Sequence, residues 1–238
     1  MNEEQKREEI AGMFDRIARR YDFLNHFLSL GTDIWWRRRA ISAIARLRKA
    51  ERVLDVATGT GDMAIAALRL NPVSITGIDI SPQMLEYGRR KLVRKGLTRK
   101  IELVKAPSEA IPYSDGSFDV AMSAFGVRNF SDTLKGLTEM NRVLVPGGVI
   151  MVLEFSKPSR FPFRQVYSLY FNSVLPFFGR LFSRDSGAYT YLPESVGRFP
   201  QGEEFLQLLV NAGFGSPKEK RVSGGIATIY TAVKGGGQ

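Results

Sequence analysis

Gly59-Thr60-Gly61-Asp62 follows the apolar run Val53-Leu54-Asp55-Val56-Ala57, and Asp79 lies at the end of a second run, Ser74-Ile75-Thr76-Gly77-Ile78-Asp79-Ile80. These residue types at this spacing suit a nucleoside. Glycine adopts positive φ at no steric cost and lets a ligand approach the backbone closely. The free N–H groups of a helix that opens after the turn face whatever the turn holds. A carboxylate about 20 positions further on sits at the tip of the neighbouring parallel strand, where it accepts hydrogen bonds from both hydroxyls of a ribose. Gly59-Thr60-Gly61-Asp62-Met63-Ala64 also fits the opening of the G-x-G-x-x-G/A dinucleotide fingerprint. The nucleoside therefore belongs to NAD or to S-adenosylmethionine (SAM). Asp62 favours SAM, because a carboxylate in the first helical turn repels a pyrophosphate and attracts an ammonium and a sulfonium.

Methyl transfer from a sulfonium needs no metal and no covalent intermediate, only alignment of donor and acceptor and help in activating the acceptor. Ala124-Phe125-Gly126-Val127-Arg128-Asn129-Phe130 follows the fourth apolar run, where the acceptor sits in a sheet of this kind. Arg128 can stabilise a developing phenolate or enolate, and Asn129 can orient a water or an acceptor oxygen. A bridge from Arg128 to Asp132 or Glu139 is the structural alternative. The chain has no cysteine, which excludes disulfides, thiol nucleophiles and zinc–cysteine sites. Its one histidine, His26, rules out multi-histidine metal sites, and reads as a surface or capping residue rather than a catalytic one. No carboxylate cluster has metal-ligand spacing, so no metal is expected.

Alternating patterns define the elements that position these residues. Strands are expected over 53–57, 74–80, 101–105, 118–123 and 149–155, the last entered through a turn at Pro146-Gly147-Gly148. Helices are expected over 3–20, from an Asp33 N-cap to about Leu47, over 62–70, over 82–95 with Ser81 as N-cap, and over 132–143. Such alternation predicts an α/β fold with an open parallel sheet and right-handed crossovers. A last helix, 203–212, precedes two strands, 218–222 and 226–233, joined by Ser223-Gly224-Gly225, and so a hairpin. An antiparallel final strand is typical of SAM-dependent methyltransferases and unusual in dinucleotide dehydrogenases.

Four regions follow: a helical cap over 1–50, a nucleoside-binding core over 51–156, an insertion over 157–201, and a C-terminal helix and hairpin over 202–238. Within the insertion, Phe161–Phe182 holds eight aromatic residues and no acidic one. Its apolar stretch, Gln165–Gly179, is 15 residues long, short of the roughly 20 that span a bilayer. A lid over an apolar substrate or an interfacial segment fits better. The net charge of +10 suits a polyanionic surface, nucleic acid or membrane, but no nucleic-acid-binding motif accompanies it. Met1–Glu9 is too charged for a secretory signal, so a cytoplasmic location is expected.

With these pieces in place, the chain resembles the ubiquinone/menaquinone biosynthesis C-methyltransferase family over nearly its whole length. The shared segments are Phe14-Asp15-Arg16-Ile17-Ala18 with Arg20-Tyr21-Asp22 and Asn25, then Asp55 to Asp62, and Phe125-Gly126-Val127-Arg128-Asn129. Others are Leu153-Glu154-Phe155-Ser156-Lys157-Pro158 and Tyr189-Thr190-Tyr191-Leu192 with Glu194-Ser195. The resemblance implies a Rossmann-like methyltransferase fold with a mostly parallel seven-stranded sheet, and SAM as donor. The acceptor it implies is a ring carbon of a polyprenylated quinol, demethylmenaquinol or the benzoquinol of the ubiquinone branch. It further implies that Asp55, Gly59, Thr60, Gly61 and Asp79 form the SAM turn and that Pro107 and Ser108 lie against the adenine. The family usually has Asp or Asn where Pro107 stands; proline has neither a side-chain acceptor nor an N–H, which leaves the N–H of Ser108. Arg128, Asn129 and Tyr21 are implied to hold the water that takes the quinol proton. A polyprenyl tail implies peripheral contact with the cytoplasmic membrane surface, and a homo-oligomer is compatible with all of this.

Overall fold

A computed structural model describes residues 3–29, 31–158, 161–169 and 187–235. Seven strands form one sheet in the order β3-β2-β1-β4-β5-β7-β6. They are β1 (Arg52–Val56), β2 (Ser74–Asp79), β3 (Ile101–Lys105), β4 (Phe118–Ala124), β5 (Leu144–Phe155), β6 (Phe214–Val222) and β7 (Ala227–Lys234). Pairs β1–β2, β1–β4, β2–β3 and β4–β5 are parallel, whereas β7 runs antiparallel to both β5 and β6. The expected hairpin is therefore present, inserted so that only β7 opposes the rest.

Period-2 alternation along the central strands builds two apolar layers. Along β5, Val149, Met151 and Leu153 face one layer while Ile150 and Val152 face the other. Helices α2 (Thr32–Ala45), α3 (Asp62–Ala67) and α4 (Pro82–Lys95) cover the first face through residues such as Trp36, Ala40, Ile41, Ile44, Met63 and Leu92. The second is covered by α5 (Thr133–Val143), with Leu137, Met140 and Val143, and by α8 (Glu203–Asn211), with Phe205 and Leu209. Helix α1 (Glu3–Leu28) runs outside the sheet, and α6 (Phe163–Leu169) and α7 (Gly187–Arg198) belong to the insertion, whose residues 159–160 and 170–186 lie outside the described part.

Several boundaries differ from the sequence reading. Helix α1 continues past Tyr21 to Leu28. Helix α2 starts at Thr32 from a left-handed Gly31, and Asp33 is its buried second residue, ion-paired with Arg37, rather than its cap. Ser81 does cap α4, accepting from the Met84 N–H at 3.1 Å, and Asp132 caps α5. Pro146-Gly147-Gly148 lies inside β5, where the pairing with β4 slips between Phe118 and Val120. The turn expected there is thus a bulge, with Gly147 at φ 71°.

Candidate active site

A cleft opens over the residues that end or follow β1, β2, β3 and β4, the side of a parallel sheet where ligands bind. The turn after β1 forms its floor. Ala57 and Gly59 take φ 55° and Gly61 φ 84°, so the chain folds back on itself within a few residues. Close packing behind the turn depends on Gly77 of β2, where a Cβ would lie 2.7 Å from Leu103 and 2.8 Å from the Thr58 hydroxyl.

Asp79 lines the cleft and is fixed in place: Oδ2 accepts from the Gly59 N–H at 2.8 Å and Oδ1 from the Ser81 N–H at 2.9 Å. Each oxygen keeps a further lone pair for a ribose hydroxyl. Burial raises the Asp79 pKa above the ordinary carboxylate value, against the pull of those N–H groups. Gly59 and Thr60 line the cleft as well, whereas Gly61 shapes the turn without reaching its wall. Asp55 lies beneath the turn. It is wholly buried, accepts from the Thr58 hydroxyl at 2.5 Å, and has its carboxyl pushed up to about 7, chiefly by desolvation. Its reach to a ligand runs through Thr58.

Asp62 also lines the cleft, but Lys91 of α4 pairs with it at 2.7 Å and donates to the Thr60 hydroxyl at 3.0 Å. Part of the negative charge that argued for SAM is thus met within the protein. On the other side of Asp79, Ala106, Ser108 and Glu109 line the wall expected to face an adenine, while Pro107 is half-buried outside it. The Glu109 carboxylate accepts from the N–H and hydroxyl of Ser131, each at 2.7 Å, tying the β3 and β4 loops together.

Arg7, Ile10 and Phe14 of α1 and Arg37 of α2 complete the lining. Helix α1 is pinned over the cleft at two points. Lys6 Nζ donates to the Ser131 carbonyl at 2.9 Å, and Asp15 accepts from the Ser81 hydroxyl at 2.5 Å and the Gln83 N–H at 3.1 Å. Residue types alone do not single out Arg7, Ile10 and Arg37 as roof residues; the signals in the sequence are the apolar spacing of Ile10 and Phe14, one turn apart within a charged segment, and the family segment that starts at Phe14.

On the acceptor side, Asn129 lies in a 3-10 turn (Val127–Asn129) and lines the cleft beside Phe125 and Phe130. Its Oδ1 accepts from the Tyr191 hydroxyl of α7 at 2.9 Å. Gly126 allows this turn to pack on the floor, since a Cβ there would stand 2.6 Å from that of Ala57. Arg128 points elsewhere. Its side chain is 7% exposed, donates to Glu154 at 2.8 Å and to the Phe125 carbonyl at 2.5 Å, and stacks over Phe155. Glu154 is fully buried. The partner of Arg128 is thus neither Asp132 nor Glu139; Glu139 pairs with Arg142 instead. Tyr21 and His26 lie on α1, with side chains outside the described part. Among the described residues no group of three His, Cys, Asp or Glu is placed to hold a metal.

The fit to SAM is good in this cleft: a carboxylate at the β2 tip, a glycine turn beside it, apolar and aromatic walls, and cations at the roof. A model of the ubiE/COQ5 methyltransferase family matches residues 1–234. The chain belongs to the ubiE/COQ5 methyltransferase family. It is 50% identical over 232 residues to the ubiquinone/menaquinone biosynthesis C-methyltransferase UbiE of Geobacter sp. (strain M21), covering 97% of this chain and 98% of that protein. A demethylmenaquinone methyltransferase of Bacteroides fragilis is 44% identical over 234 residues, covering 98% and 95%.

Among solved structures, a SAM-dependent methyltransferase from Thermotoga maritima, described as a possible histamine N-methyltransferase, matches with TM-score 0.65 and 21% identity over 94% of this chain and 99% of that one. The [4+2]-cyclase SpnF matches with TM-score 0.70 and 19% identity over 96% of both chains. These two show the fold alone; a cyclase on the same scaffold shows that the fold does not set the chemistry. Within Tyr189-Thr190-Tyr191-Leu192, Tyr191 is the residue that meets Asn129.

Proposed function

We propose that this methyltransferase transfers the methyl group of SAM to a ring carbon of a polyprenylated quinol, demethylmenaquinol in menaquinone biosynthesis. The observation that carries the reading is that Asn129 shares one cleft with the Asp79 turn and with the aromatic wall of Phe14, Phe125 and Phe130. A flat apolar ring fits that wall, with its hydroxyl toward the Asn129 amide. The relatives' names support the acceptor class. SAM supplies a methyl on a sulfonium that departs as a neutral thioether.

The protein's share is to align the ring carbon with that methyl and to ease loss of the quinol hydroxyl proton, whose phenol-type pKa is about 10. A water held beside Asn129 accepts that proton and passes it to solvent, and the family resemblance adds Tyr21 to the groups that hold this water. Arg128 favours the ionised quinol through its charge, although its Glu154 partner offsets much of it; holding the Val127–Asn129 turn is its larger contribution. Carbon–carbon bond formation breaks the carbon–sulfur bond, and the ring then loses its proton to regain aromaticity. The second reading, the benzoquinol of ubiquinone biosynthesis, is favoured by the names of the UbiE relatives. Incubation with methyl-labelled SAM and short-chain quinols of each class, followed by extraction, tests both.

Tyr191→Phe is expected to lower kcat about fivefold with KM for SAM unchanged, the effect of one hydrogen bond of about 1 kcal/mol made to a reacting-site amide. An unchanged kcat would remove Tyr191 from the site.

The enzyme meets its lipid substrate at the membrane surface in this account. No described helix is long and apolar enough to cross a membrane. Ile34 and Trp35 are each 43% exposed at the start of α2, with Arg38 and Arg39 on the same face and Arg39 stacked over Trp35 at 5.0 Å. Phe161, 80% exposed, and Phe163 add to this, and the neighbouring Asp33 is buried in its ion pair. Apolar residues among exposed cations match an anionic bilayer surface. Co-sedimentation with phosphatidylglycerol vesicles should exceed that with phosphatidylcholine, fall in high salt, and drop about tenfold on replacing Trp35 and Phe161 with Ala. Equal binding to both lipids would contradict it.

A further inference from the structure

We infer that Arg37 is the residue that takes the carboxylate of the methionyl end of SAM, an assignment that rests on SAM being the donor. The cleft has one acid at its centre, Asp79, which divides it. Ala106, Ser108 and Glu109 lie on one side; Ala57, Thr58, Thr60, Asp62 and Phe125 lie on the other. With the ribose at Asp79 and the adenine on the first side, the methionyl group falls on the second. Its carboxylate there needs a cation, because the lining carboxylates Asp62, Asp79 and Glu109 would otherwise repel it.

Only Arg7 and Arg37 supply positive charge to the described lining. Arg7 is next to Lys6, which is fixed to the carbonyls of Phe130 and Ser131, so the Arg7 backbone is held at the Glu109–Ser131 end. Arg37 stands over the Phe125 ring at 5.8 Å, on the methionyl side, and its charge acts on Asp55 beneath the turn. Its side chain is 10% exposed, and its placement is enforced: Nη1 is ion-paired to Asp33, whose carboxylate also accepts from the Ser29 hydroxyl at 2.6 Å. The buried Nε of Arg37 has no hydrogen-bond partner. A guanidinium has five donors in a planar fork suited to a carboxylate. One edge held by Asp33 leaves others for the ligand.

The test compares binding of SAM with that of decarboxylated SAM, which keeps the nucleoside, sulfonium and ammonium, by titration calorimetry without any quinol. The wild-type protein should prefer SAM by about ten- to a hundredfold, the range for a charged hydrogen bond. Arg37→Gln should abolish that preference while binding decarboxylated SAM as the wild type does, which also reports that it is folded. Arg7→Gln should leave the preference intact. Equal wild-type affinity for the two ligands would overturn the assignment, as would loss of the preference in Arg7→Gln, and neither outcome depends on Arg37→Gln folding. A preference that survives in Arg37→Gln overturns it as well. A wild-type protein that binds neither ligand would overturn the donor reading itself.

Discussion

Asp79→Ala is expected to bind SAM about a hundred- to ten-thousandfold more weakly than the wild type, measured by titration calorimetry. Two charge-assisted hydrogen bonds to the ribose hydroxyls are worth about 1.5–3 kcal/mol each, and roughly 1.4 kcal/mol corresponds to a factor of ten. The substitution also frees the Gly59 N–H, which Asp79 holds at 2.8 Å, and so loosens the turn that forms the floor. Asp79→Asn keeps the shape and part of the acceptor capacity, and should lose less. The pH dependence has a definite sign. Burial raises the Asp79 pKa, so lowering the pH protonates it earlier than an exposed aspartate. Protonation removes acceptor capacity, so SAM affinity falls on the acid side in the wild type, and that fall is absent in Asp79→Asn. Unchanged affinity in Asp79→Ala would remove the ribose from this strand end.

Arg128→Ala carries the largest expected stability loss, about 3–5 kcal/mol in urea unfolding, because it leaves a buried carboxylate without its partner. Glu154 accepts from the Arg128 guanidinium at 2.8 Å and from the backbone N–H groups of Arg128 and Phe155, each at 3.2 Å. The pair therefore staples the end of β5 to the turn that presents Asn129. Replacing both residues with Leu should recover most of the stability, since an apolar pair of similar volume often matches a buried ion pair. Turnover should stay low in the double variant, because the guanidinium's hydrogen bond to Phe125 and its charge are both gone. A double variant with wild-type turnover would reduce Arg128 to scaffolding; a stable Arg128→Ala protein would contradict the burial of the pair.

Much of this was legible from local rules. Ser81 marks the start of α4, and the glycine turn with Asp79 points to a nucleoside cleft. Local rules failed where distant residues decide. Asp33 reads as a cap from its neighbours, but Arg37 one turn along draws it into the helix. Pro146-Gly147-Gly148 reads as a turn, but β4 pairs with Leu144 before it and with Val149 after it, which makes it a bulge within one strand. The two sequence-nominated bridges for Arg128 were near in the chain, and the actual partner, Glu154, comes from the adjacent strand. Asp62 reads as a charge for the ligand because Lys91, 29 residues away, is not visible from the turn. The roof of the cleft was invisible for the same reason: α1 is placed by Lys6 and Asp15 reaching across to residues 66 to 125 positions away.

The central claim is tested most directly by incubating the protein with methyl-labelled SAM and a short-chain demethylmenaquinol under reducing conditions, then extracting the quinone. The account predicts label in the ring methyl of the product, lost in Asp79→Ala and strongly reduced in Asn129→Ala. Label that never enters a quinol of either class, while SAM still binds, would contradict it.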